Sequence, residues 1–145
     1  RQGQVGAGTA ALCLHALAEL LEVARKQRLT RHQHVLFRLG EIIAWVEGAA
    51  SLARRAVRAA DGTLSEKAHG RFNADALAAF GRIFARDAAM KLAGEGMRWI
   101  GSLIPEAESV QLEKQILIPQ IYRAQAGLLP DMDLAADILY ERQPG

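Results

Sequence analysis

The feature that most constrains this chain is a run of apolar residues between positions 35 and 60. Val35, Leu39, Ile42, Val46, Ala49, Ala53, Ala56 and Ala60 follow one another at alternating steps of four and three. Only a helix brings such positions onto one face, because a strand would scatter them over two. Sustained over about three and a half heptads, the pattern is the seam of a long helix lying nearly parallel or antiparallel to a neighbour. The seam passes from large residues to alanines, which predicts a bulky core at its start and close helix approach towards its end.

The rest of the chain reads the same way. Thr9 is a candidate N-cap for "AALCLHALAELLEVARKQR", with Leu14, Leu17, Leu21 and Ala24 on its apolar face and Glu19, Glu22, Lys26 and Arg28 in water. "LTRH" breaks that helix, and Thr30 is placed to cap the next. "DGTLSEKAHG" is a polar loop opened by an Asp61-Gly62 turn signal. A third helix is predicted from about 73 to 101, striped by Leu77, Phe80, Phe84, Ala88 and Leu92 and limited by Pro105. "ESVQLEKQILIPQIYRAQAG" carries Leu112, Ile116 and Leu117, with Pro119 forcing a kink or a stop. The tail "PDMDLAADILYERQPG" adds a short helix capped by Asp131 or Asp133. No strand pattern competes. The expectation is an all-α, up-and-down bundle of about four helices. It forms one domain over residues 1–145, with three long helices in 9–102 and a fourth segment and tail in 103–145.

Composition narrows the function classes. Eighteen basic residues against 16 acidic ones leave a net charge of +2, too little to imply a nucleic-acid partner. A single cysteine, Cys13, precludes an intrachain disulfide, and in "ALCLHALAELL" it reads as a small core residue rather than a nucleophile. No apolar run reaches about 18 residues, so a membrane span is excluded on this reading. "RQGQVGAGTA" lacks the apolar core of a signal peptide, and a start at Arg1 suggests a fragment or a processed chain.

Candidate chemistry is sparse. His15, His32, His34 and His69 are the only imidazoles, and none has the i, i+4 spacing that would share a metal. No phosphate-binding glycine motif or nucleophile elbow occurs, and "GAG" and "GEG" read as packing or helix-end glycines. Glu41, Glu47, Asp87 and Glu95 are the carboxylates that register brings nearest the core. Asp87 is expected to pair with Arg54 or Arg55; a general base is the alternative role. Arg54, Arg55 and Arg58 cluster on the second helix. The plain reading is a solvated face, and the sharper one is a patch for a membrane surface or an acidic partner. Trp45 and Trp99 complete the candidate interface residues.

The succession "HQHVLFRLGEIIAWVEGAASLARRA", polar loop, "FGRIFARDAAMKLAGEGMRWIGS" resembles the C-terminal helical bundle of the acyl-CoA dehydrogenase family over roughly residues 8–102. It is most similar to the extra helical domain appended to the very-long-chain type. Family members oxidise acyl-CoA thioesters, a glutamate removing the α-proton while hydride passes to FAD. Here "GSLIPEAESVQ" replaces the family's glycine-rich turn and arginine-bearing segment, and "RLTRHQ" replaces its flavin-contacting loop. No catalytic, FAD-binding or metal-binding residue is therefore carried over. The resemblance implies a non-catalytic domain of a flavoprotein oxidoreductase in fatty acid β-oxidation, with FAD in the parent enzyme only. Its partners would be the catalytic portion of its own parent chain, a further copy in a homo-oligomer, or a membrane surface. The compartment would be bacterial cytoplasm, or the mitochondrial matrix in a eukaryote. Two alternatives stand beside it. One is the catalytic bundle itself, with Glu106 or Glu108 as base, and the other is an unrelated adaptor that takes a partner helix in its groove.

Overall fold

The computed structural model describes residues 5–64 and 72–141. The element order is α1 (Ala7–Lys26), a 3-10 turn (Leu29–Arg31), α2 (Gln33–Ala60), α3 (Ala74–Trp99) and a second 3-10 turn (Gly101–Leu103). Three shorter helices follow: α4 (Glu106–Gln115), α5 (Ile118–Arg123) and α6 (Leu128–Leu139). Among the described residues there is no strand, so the chain is all-α. The expected fourth segment is divided into α4 and α5, and the short helix expected in the tail is α6.

The α2 seam holds as read. Val35, Leu39, Ile42, Val46, Ala49, Ala53 and Ala56 are buried. Ala60, the last residue of the helix, is exposed beside the Asp61-Gly62 turn, where Gly62 adopts φ 70°. The rest of the polar loop, including His69, lies outside the described residues. α3 starts where Asn73 caps it, its side-chain oxygen accepting from the Ala76 amide at 2.9 Å. Asp75 in the first turn and Arg98 in the last both suit the helix dipole.

α1 is rotated from the expected face. Ala10, Cys13, Ala16, Leu17, Leu20 and Ala24 are buried, while Leu14 is 40% exposed and Leu21 half-buried. The helix packs on α2, α3 and α4 together, so its buried arc is wide and is centred on the smaller residues that let three neighbours approach. Its N-cap is Gly6 at φ 81°, and Thr9 lies inside the first turn. Thr30 likewise caps nothing. It falls within the first 3-10 turn, and α2 opens at His32 without a side-chain cap.

By length and composition α1 is long and apolar enough to cross a bilayer, which corrects the expectation from run length. Glu19 and Glu22 are its only charges before Arg25. In the fold, Cys13, Ala16, Leu20 and Ala24 are wholly enclosed by the bundle. Leu20 and Leu92, both at 0% exposure, each contribute about 1.5–3 kcal/mol of apolar burial.

At the alanine-rich end of α2, Ala56 Cβ lies 3.8 Å from where a Cβ on Gly81 of α3 would stand, and a tighter backbone approach lies between α3 and the residues leading into α1. A Cβ on Gly81 would stand 2.7 Å from the Val5 carbonyl oxygen, and one on Gly6 would stand 2.8 Å from the Gly81 carbonyl oxygen. Only glycine allows two backbones to meet like this. Leu112, Ile116 and Ile121, from α4, the turn after it and α5, are fully buried in the main core with Ile100. Leu117, at φ 60°, separates α4 from α5, and Pro119 sits in the first turn of α5, where its missing N–H costs no helical hydrogen bond.

Candidate functional site

Among the described residues, two apolar grooves and one ion-pair clasp stand out on the surface. The larger groove, about 490 Å³, opens between α2, α3 and α6. Leu52 comes from α2, Phe80, Phe84 and Met90 from α3, and Leu128 and Met132 from α6. Apolar side chains dominate its surroundings, with Met90 39%, Met132 49% and Leu129 69% exposed, and Asp87 and Gln125 supply its polar lining. Flexible methionines at such a rim can adapt to the shape of a partner.

The clasp sets the position of α6, and hence of that groove. Asp131 accepts from Arg82 Nη2 at 2.7 Å and from Arg82 Nε at 2.9 and 3.0 Å. Arg86 donates to the same carboxylate. The Arg86 guanidinium also donates to the carbonyls of Ala124 and Ala126, both at 2.9 Å, and Gln125 donates from its side chain to the Arg86 carbonyl at 3.2 Å. Gly127 at φ 87° turns the chain in the left-handed region between these contacts. Arg82 above all, then Arg86, holds the Asp131 carboxyl below the usual carboxylate range, against the opposing effect of burial. A carboxylate held this way is a poor base, so the clasp is a structural tie between α3 and α6. It also shows that Asp131 does not cap α6, which begins at Leu128. Sequence reading missed the clasp. Its available signal was Arg82 and Arg86 at i, i+4 on one face of α3, a pair that asks for an anion on a neighbouring element.

The carboxylates singled out from the sequence behave differently. Asp87 is exposed and faces Lys91 at 3.6 Å on its own helix, so the expected pairing with Arg54 or Arg55 is corrected. Glu41 is exposed and pairs with Arg38 at 3.0 Å, and Glu47 is exposed as well. Glu95 is half-buried and accepts from Trp99 Nε1 at 2.9 Å. Glu106 and Glu108 stand exposed in the first turn of α4, where Glu108 accepts from the Gln27 side chain. Cys13 donates to the Ala85 carbonyl at 3.6 Å, and burial pushes its thiol up to about 12, as befits a core residue. His15 bonds the Gln115 carbonyl at 3.0 Å and so ties α1 to the end of α4.

The five candidate interface residues occupy three places. Trp45 is half-buried, stacked on Phe84 at 5.3 Å with the Lys91 ammonium 3.2 Å from its ring centroid. Trp99 is half-buried between the guanidinium groups of Arg38 and Arg98, at 5.3 and 5.6 Å. Arg54, Arg55 and Arg58 do converge, around a shallow depression that they line with Ser51 and Leu64. Arg54 and Arg58 also border the second groove, about 380 Å³, between α1 and α2. No group of three His, Cys, Asp or Glu side chains able to hold a metal occurs among the described residues.

Comparison with family models, with curated proteins and with solved structures returns no match.

Proposed function

We propose that this chain is a non-catalytic helical domain of a flavin-dependent acyl-CoA dehydrogenase, and that it packs on the catalytic part of its parent enzyme through the groove between α2, α3 and α6. The sequence resemblance supplies the kind of enzyme. The observation that carries the mode of action is the open apolar groove with Met90, Leu129 and Met132 exposed around it, an apolar surface of the sort that marks an interaction site. The disposition of the carboxylates supports a supporting role rather than proton abstraction. Asp131 is neutralised by two arginines, Asp87 is drawn to Lys91, and Glu108 is engaged by Gln27. FAD and the acyl-CoA thioester then belong to the partner, and this chain supplies apolar cover that steadies it and biases its oligomer or its membrane docking.

The test is binding of residues 1–145 to an acyl-CoA dehydrogenase polypeptide encoded in the same gene or operon, against the double variant Met90→Glu/Met132→Glu. Both substitutions lie at exposed positions, so the bundle remains folded by circular dichroism. Wild type binds, and the variant loses at least about tenfold in affinity, or ~1.4 kcal/mol. Equal binding by the variant removes the groove from the interface. No binding by either removes the dehydrogenase as partner and favours an adaptor that takes some other helix.

A further inference from the structure

The second groove, between α1 and α2, plays no part in that docking, and its chemistry is different. Its floor is formed by Ala10, Ala50 and Ala53, all buried, and its sides by Leu14 and Val57. The groove exists because the alanine half of the α2 seam meets alanines of α1. Short side chains on both helices leave space that leucines would fill. At about 380 Å³ it lies within the range of small-molecule pockets and well below what a partner helix would need along its length.

Arg54 and Arg58 stand at its edge, one turn apart on α2. Neither guanidinium has a hydrogen bond or ion pair among the described residues, in contrast with Arg25, Arg38, Arg82 and Arg86. The same two arginines line the neighbouring depression, and among the described residues no carboxylate lines either hollow. An apolar trough therefore ends at two planar cations with no countercharge among the described residues, the side chains best suited to a carboxylate or phosphate.

We propose that this groove binds a single-chain amphiphile with an anionic head, a carboxylate or a phosphate monoester. The chain lies on Ala10, Ala50 and Ala53, and the head meets Arg54 and Arg58. Two consequences follow from the physics. Each methylene withdrawn from water strengthens binding about fourfold until the groove is full. A cationic head on the same chain has nothing to meet.

The experiment titrates residues 1–145 with octanoate, decanoate and dodecanoate, each kept monomeric, with dodecyl phosphate as the second anion and dodecyltrimethylammonium as the control. Calorimetry gives affinity, and amide chemical shifts give location. Affinity should rise with chain length, saturate at one ligand per chain and perturb residues 7–14 and 50–58, while the cation binds at least tenfold more weakly. Arg54→Gln/Arg58→Gln should weaken the anions tenfold or more and leave the cation unchanged. Ala11→Phe, an exposed lining position, should weaken the long chains while leaving octanoate less affected. Shifts confined to the groove between α2, α3 and α6, or anion affinity unchanged in the arginine variant, would overturn the proposal. Binding to phosphatidylglycerol vesicles without binding of the monomeric anions would overturn it as well, and would make the arginines a membrane-surface patch.

Discussion

Asp131 lies at a nearly enclosed site, and its side chain accepts hydrogen bonds from Arg82 and Arg86. Because its folded pKa is depressed, chiefly by Arg82, the sign of the linkage is fixed. The stabilisation is fully present above the unfolded value, about 3.9, and is lost as pH falls through the folded value. Asp131→Asn removes the charge that the Arg82 and Arg86 guanidinium groups face and should cost about 3 kcal/mol near neutral pH, the low end for breaking a buried pair. Urea unfolding followed by circular dichroism measures this. The gap between wild type and variant should hold from neutral pH down to about pH 4 and close below it. A gap independent of pH would mean that shape, not charge, holds α6. At this scale Cys13 was legible from the sequence, since small size amid leucines suffices to place it in a core. Asp131 was not, because its partners are 49 and 45 residues away, and no periodicity links such distances.

Helices α2 and α3 were readable as elements because their apolar spacing repeats over many turns, and the Asn73 cap fell within the predicted start of α3. The orientation of α1 was not readable. With leucines at 12, 14, 17, 20 and 21, several faces compete, and the packing of three neighbours selects the one built on Ala16 and Leu20. Pro119 announced a break, and the left-handed Leu117 shows where it falls. The glycines of α3 give a test at this scale. Gly94 has nothing within 4 Å of an added Cβ, so Gly94→Ala should stabilise by about 0.5–1 kcal/mol through helix propensity alone. Gly81→Ala gains the same propensity but drives its Cβ to 2.7 Å from the Val5 carbonyl oxygen. Overpacking against a backbone costs about 1–3 kcal/mol, so the clash should win and leave a net loss of about 1 kcal/mol. Thermal melts of the two variants should therefore shift in opposite directions. A rise in both would show that the start of α1 yields freely to α3.

On the whole molecule, the three long helices share a main core with α4 and α5, a smaller cluster of Val5, Ala56 and Leu77 lies apart from it, and α6 is tied to α3 through the clasp. Burial is ample, yet the helices leave apolar rows uncovered along two grooves. One has methionines around it and the other ends at two arginines. The all-α class was legible because it needs only periodicity. The grooves were not, because each is a void between elements, and voids depend on side-chain volumes summed across helices. The proposed function assigns these grooves to binding, and the measurement that tests that proposal most directly is turnover. On the proposed function, acyl-CoA oxidation per flavin and melting temperature are compared for an acyl-CoA dehydrogenase polypeptide with and without residues 1–145. Unchanged turnover per flavin together with a lower melting temperature, or lower membrane recovery, in the absence of the chain is the predicted result. Loss of chemistry restored by wild type but not by Glu106→Gln or Glu108→Gln would contradict it and make this bundle catalytic.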